Sequence, residues 1–196
     1  MNLWRKVRGL FRVLPENSTP DPAVVQALNE FWPMFQNSRS LCCYLGRKGL
    51  GKASFVPAPF YQATTPYLLV RFKQPLSHAV RQAHNRIGGW TNENCLIRLW
   101  AILESHGFTK PIRENVNSSD TVKLLKRLRQ HFAHGTGLYD KHKPRHRKLR
   151  RDLLHAFPVP KPNPREIPLD IDRVLKPMFE SCRQYVDEVL RREQAA

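Results

Sequence analysis

The chain has 196 residues, which suits one domain of ordinary size with room for a real core. Hydrophobic residues make up 41% of it, a globular rather than a disordered composition, and no apolar run reaches the length of a membrane span. Lys and Arg number 33 against 16 Asp and Glu, a net charge of +17; such an excess opposes folding by self-repulsion and points to a polyanionic partner, whether nucleic acid, an anionic membrane or an acidic protein.

Met1 to Leu14 place Leu3, Trp4, Val7, Leu10, Phe11 and Leu14 on one helical stripe, with Arg5, Lys6, Arg8 and Arg12 elsewhere. The stretch lacks the unbroken apolar centre of a signal peptide. It reads as a terminal helix packed on its own domain, or as a basic amphipathic helix for a membrane surface or a partner groove. After the turn-rich Pro15 to Thr19, a helix is expected from Asp21 or Pro22 to about Phe35, with Val24, Val25, Leu28, Phe31 and Trp32 on its apolar face. These two elements form an N-terminal stretch, residues 1–37. Residues 38–75 are rich in glycine and proline and read as loop with one or two short strands, in the runs Leu41 to Leu45 and Tyr67 to Phe72. Within them Gly46 to Ala53 is like a phosphate-binding loop, but Ala53 stands where a hydroxyl should hold magnesium, and the prolines that follow cannot open the required helix.

Residues 76–196 are helical. One segment spans about Leu76 to Arg86 and ends at Gly88-Gly89. The next starts at Thr91 or Asn92, carries Cys95, Leu96, Leu99, Trp100, Ile102 and Leu103, and stops at Gly107. A third begins near Ser119, carries Val122, Leu124, Leu125, Leu128 and Phe132, and ends at His134-Gly135. A polar, basic connection from Thr136 to about Arg151 and a proline-rich linker, Phe157 to Pro168, lead to a last helix from about Asp170 to Arg192, which Pro177 should kink or start late. The expected fold is all-α: an antiparallel helical bundle with a short loop- and strand-containing N-terminal region. Of the four cysteines, Cys42 and Cys43 are adjacent and Cys95 and Cys182 lie on apolar stripes, so no zinc spacing exists and core thiols of a reduced protein are expected.

The chemistry concentrates in Arg129-Gln-His-Phe-Ala-His-Gly135. An imidazole titrates near neutral pH and can move a proton; a guanidinium stays charged and forks onto two phosphate oxygens. Cleavage of RNA by its own 2′-hydroxyl needs those two functions and no metal. Arg129 and His134 are about 140° apart on an ideal helix, so they would not face each other on a continuous rod; the glycines after His134 suggest that the helix ends there and lets it turn. Gln130 lies one turn before His134 and shares its face. Lys126, Arg127 and His131 enrich the same strip. From Lys141 to Arg151 the chain has seven Lys or Arg (Lys141, Lys143, Arg145, Arg147, Lys148, Arg150, Arg151), two His and no acid, a natural surface for a phosphate backbone. His142 and His146 have helical metal spacing but no third ligand, and Asp170 and Asp172 sit at a helix start where carboxylates are commonplace, so no metal site is expected.

Arg129, Gln130, Ala133, His134 and Gly135, at the end of an amphipathic helix, resemble the Arg-x4-6-His signature of HEPN domains (higher eukaryotes and prokaryotes nucleotide-binding). The resemblance covers this motif and the helix layout of residues 76–193. It implies a bundle of four or five helices, a homodimer, and metal-independent endoribonuclease activity that leaves a 2′,3′-cyclic phosphate and a 5′-hydroxyl, in a defence or toxin setting. Arg129, His134 and Gln130 would then be catalytic, RNA the substrate, and an antitoxin or other regulator a further partner. No cofactor is implied, and a cytoplasmic location fits. Thr136 stands where nucleotide-silenced toxins of the family carry tyrosine, so that mode of control is not implied. Two other readings stay open: a non-catalytic nucleic-acid-binding module of the same fold, and an interaction protein for an acidic partner or anionic membrane.

Overall fold

Apolar residues recur at three- and four-residue spacings through most of the chain beyond residue 76, and the backbone follows them into helices. The computed structural model describes residues 20–42, 62–64, 69–71, 77–134 and 138–195. They form α1 (Ala23–Leu41), strands β1 (Gln62–Thr64) and β2 (Leu69–Arg71), α2 (His78–Ser105), α3 (Ser119–His134), α4 (Pro144–Ala156) and α5 (Lys176–Gln194). The strands pair antiparallel with Ala63 opposite Val70. Met1 to Leu14, the Gly46 to Ala53 loop and Gly135 lie outside the described residues. No helix among the described residues is long and apolar enough to cross a membrane.

Helix α1 packs on α2, α2 on α3, α3 on α5 and α5 on α1, which closes a ring of four helices; α4 lies against α3. Inside the ring, Leu28 and Phe31 of α1 meet Leu96, Leu99 and Leu103 of α2, Val122, Leu125 and Leu128 of α3, and Met178, Cys182 and Val186 of α5. Each such side chain contributes about 1.5–3 kcal/mol on burial, so packing rather than local propensity holds these helices in place. The all-α bundle expected from the apolar periodicity is the fold observed. Helix α1, expected as part of a separate N-terminal stretch, supplies Val24, Leu28, Phe31 and Phe35 to this same core. Trp32 stacks on Phe179 with ring centroids 4.7 Å apart, and Trp100 is buried. Cys95 and Cys182 are buried too, and burial pushes both thiols up to about 12, as befits inert core sulfur.

Three elements depart from the sequence expectation. Gly88-Gly89 predicts a break, but α2 runs straight through it. Gly88 is needed for another reason: a Cβ there would come within 2.8 Å of the Cys42 carbonyl oxygen and 3.0 Å of the Arg39 guanidinium. Asn92, expected as a cap, instead sits mid-helix and ties three elements. Its Oδ1 accepts from Arg39 Nε at 2.9 Å, and its Nδ2 donates to the Leu169 carbonyl at 2.8 Å. Helix α1 continues past Pro33 and Phe35 to Leu41, with Cys42 as its C-cap, so Leu41 is helical rather than extended; Cys43 to Leu45 lie outside the described residues. The third departure is α4, expected as basic loop. Pro144 occupies its first turn, where a missing N–H costs nothing, and Leu149 and Leu153 anchor its buried side. Pro177 acts as anticipated: Asp170 caps the chain by accepting from Arg173 N at 2.8 Å, a wide π turn spans Ile171–Leu175, and the regular helix starts only at Lys176.

Candidate nuclease site

Helix α3 is strongly amphipathic; Val122, Leu125 and Leu128 face the core and Lys126 faces solvent. It remains helical through His134. Arg129 and His134 nevertheless meet: Arg129 Nη1 lies 3.0 Å from His134 Nε2. The offset of about 7.5 Å along the axis and about 140° around it is bridged by the long arginine arm, not by fraying of the helix. A guanidinium has donors only, so a hydrogen bond in this contact uses Nε2 as the acceptor. His134 is exposed and Arg129 half-buried. The helix end therefore presents a guanidinium beside an imidazole nitrogen, open to solvent. Gln130 is half-buried on the preceding turn.

The basic helix α4 runs antiparallel to α3, as two contacts define. His131 of α3 meets His146 near the start of α4, ring centroids 4.6 Å apart and nearly perpendicular. One turn earlier on α3, Arg127 Nη1 donates to Asp152 Oδ2, further along α4, at 2.8 Å. The first turns of α4 thus lie beside the end of α3 that carries His134. Asp140 sets that geometry: its carboxylate accepts from His142 N at 2.8 Å, its carbonyl accepts from Lys143 N at 3.2 Å, and its own N–H donates to His146 Nδ1 at 3.0 Å. Accepting at Nδ1 keeps the proton of His146 on Nε2.

The candidate strand-binding residues divide by environment. Lys126, Lys141, Lys143, Arg145, Arg147, Lys148 and Arg151 are exposed. Three are committed to the protein. His131 is buried between Phe132 and His146. Arg127 is paired with Asp152. Arg150 donates from Nε to the Glu166 carbonyl at 3.1 Å and from Nη2 to the Asn163 carbonyl at 3.3 Å, pinning the proline-rich linker to α4. Burial alone would push the Asp152 carboxyl up, but the Arg127 bond and charge, with Arg151 and Lys148 beside it, hold it below the ordinary aspartate range. Sequence reasoning missed Tyr139 and Asp152. Tyr139 had no periodic signal, being in a connection, and Asp152 stands one place beyond the acid-free run. Among the described residues no three His, Cys, Asp or Glu side chains gather closely enough to hold a metal ion.

Compared with protein-family models, curated proteins and solved structures, the chain gives no match.

Proposed function

We propose that this chain is a HEPN-like, metal-independent endoribonuclease that leaves a 2′,3′-cyclic phosphate and a 5′-hydroxyl. The supporting observation is the 3.0 Å contact of Arg129 Nη1 with His134 Nε2 at an open helix end, beside a helix with an exposed cationic face. A phosphate entering there draws the guanidinium off the imidazole and takes its fork on two non-bridging oxygens. The freed Nε2 accepts the proton of the 2′-hydroxyl, the 2′-oxygen attacks phosphorus, and the bond from phosphorus to the 5′-oxygen breaks. Arg129 stabilises the charge that builds on the phosphorane. The leaving 5′-oxygen takes its proton from the partner subunit's His134, which enters the reaction as the imidazolium and leaves it neutral, in a two-fold dimer that sets two Arg–His pairs in one cleft. Gln130 orients the pair from one turn away. The setting that fits is a cytoplasmic defence or toxin component held in check by an antitoxin or similar regulator.

The test is cleavage of a defined RNA with and without EDTA, with end-group analysis of the products. Wild type is expected to cut in EDTA and to leave cyclic phosphate. His134→Ala and Arg129→Ala are each expected to lose about 10²–10⁴-fold in rate with helical content unchanged. Undiminished activity in both variants refutes the assignment. The exposed cations of α4 favour a second reading, a nucleic-acid-binding module without catalysis. It predicts binding to RNA with a log–log salt slope of about −4 for six neutralised phosphates on a single strand, and no cleavage.

A further inference from the structure

Two grooves flank α4, and they differ in charge. The one toward α3, about 530 Å³, contains both signs: Arg127 faces Asp152, and Lys123 is paired with Glu114 at 2.9 Å and Asp120 at 3.5 Å. Its cations are neutralised within the protein. The groove on the opposite side, about 600 Å³, is lined by Arg147, Lys148, Arg150 and Arg151 with Tyr139 and Leu154, and no acid lines it among the described residues. Arg151 is shared with the first groove and lies 3.6 Å from Asp152; Arg147, Lys148 and Arg150 complete the cationic lining, and like charges gathered around one concavity repel one another, a cost relieved when an anion binds.

This second groove also brings an aromatic ring and a guanidinium together. The Arg150 guanidinium lies over the Tyr139 ring, 5.9 Å from its centroid, and the His146 ring is tilted 32° to Tyr139 at 6.3 Å. Arg150 is held through bonds to the Glu166 and Asn163 carbonyls, which leaves the guanidinium face turned away from Tyr139 for stacking. A phenol ring and a guanidinium fixed in this way have little freedom left to lose, and both stack on nucleobases. The volume lies within the usual range of about 300–1,000 Å³ for small-molecule sites. Tyr139 follows His134 by five residues, at most about 18 Å of extended chain, so one strand can reach both places.

We propose that this groove is a nucleotide subsite for single-stranded RNA. Arg147, Lys148 and Arg151 take the phosphates, and one base lies against the Tyr139–Arg150 shelf. The subsite rests on the RNA-directed reading above and extends it from the scissile link to a flanking nucleotide. Because the shelf grips any flat base, it tethers the strand without selecting a sequence.

The experiment is fluorescence anisotropy on the full chain with a labelled 2′-O-methyl oligouridine, which cannot be cleaved, and with an abasic oligomer of the same length. Tyr139→Leu keeps apolar bulk against the core; Arg147→Gln/Lys148→Gln alters exposed side chains alone. Tyr139→Leu is expected to weaken the base-bearing oligomer by roughly 5- to 150-fold and to leave the abasic one unchanged. The double glutamine variant is expected to weaken both and to make the salt slope shallower by about 1.4. The proposal is overturned if Tyr139→Leu, folded by circular dichroism, binds the oligouridine as wild type does. It is equally overturned if the double variant keeps the wild-type affinity and slope, a result that decides the matter even should Tyr139→Leu fail to fold. If wild type leaves unmodified RNA intact while these binding differences hold, the subsite stands and the nuclease assignment falls.

Discussion

Gly88 and Gly89 are neighbours in the middle of one helix, and alanine should stabilise at Gly89 but not at Gly88. Either substitution gains about 0.8–1 kcal/mol of helix propensity. At Gly89 nothing among the described residues lies within 4 Å of the added Cβ, so Gly89→Ala is expected to stabilise by about that amount. At Gly88 the new carbon meets the Cys42 carbonyl oxygen at 2.8 Å, and that neighbour is backbone that cannot rotate away. Overpacking of this kind costs about 1–3 kcal/mol, which cancels or exceeds the propensity gain. The difference between the two variants is the reliable quantity, about 2 kcal/mol, and propensity drops out of it. Urea unfolding with a slope of about 2 kcal/mol per molar would separate their midpoints by about 1 M. Equal stabilisation by both alanines would refute the close approach of the α1 terminus to α2.

Other consequences follow from named contacts. Tyr185 is fully buried; its hydroxyl accepts from Arg113 N at 3.0 Å and donates to the Phe108 carbonyl at 3.3 Å. Tyr185→Phe strands both backbone groups and should cost about 1–3 kcal/mol in thermal or urea unfolding. Burial raises the Tyr185 phenol and carries the Cys95 and Cys182 thiols to about 12. These groups hold their protons more tightly when folded, so their share of stability is full below the unfolded values of about 8.5 for Cys and about 10 for Tyr, and is lost as pH rises beyond them. Asp152 works in the other direction: its lowered carboxyl supports stability above the unfolded value of about 3.9 and loses that support as pH falls. Asp152→Asn should remove this acid dependence at a cost of at most about 1 kcal/mol for so exposed a pair. By releasing Arg127 it should also tighten RNA binding and steepen the salt slope by about 0.7; an unchanged slope would count against Arg127 as a latent phosphate contact. Arg129→Lys keeps the charge but loses the planar fork, and cleavage should fall about 10²-fold or more rather than persist.

How much could be read in advance depended on whether the cause was local. Helix α3 was legible to the residue at both ends, Ser119 and His134, because its apolar stripe is regular and glycine follows it. Helix α4 was obscured by its seven-cation surroundings, although His146, Leu149, Arg150 and Leu153 keep helical spacing and Pro144 marks a first turn. Gly88 misled because a glycine pair signals a break, whereas its actual cause, the carbonyl of Cys42, is remote in sequence. The motif pair Arg129–His134 was visible, but its angular offset argued against direct contact; the reach of the arginine decided otherwise. Nothing local could announce Arg127 with Asp152, or Arg150 over Tyr139, since those partners meet only when α4 folds back along α3.

The closed circuit α1–α2–α3–α5 surrounds the apolar interior, and α4 is laid along α3 beside it. Its outward cations can therefore be recharged by substitution while the interior residues that set the melting point stay untouched. On the proposed reading, the exposed Arg147 and Lys148 would tune the grip on a strand while the interior residues set the solidity of the scaffold, and an engineered variant could trade one polyanion preference for another without redesigning the core.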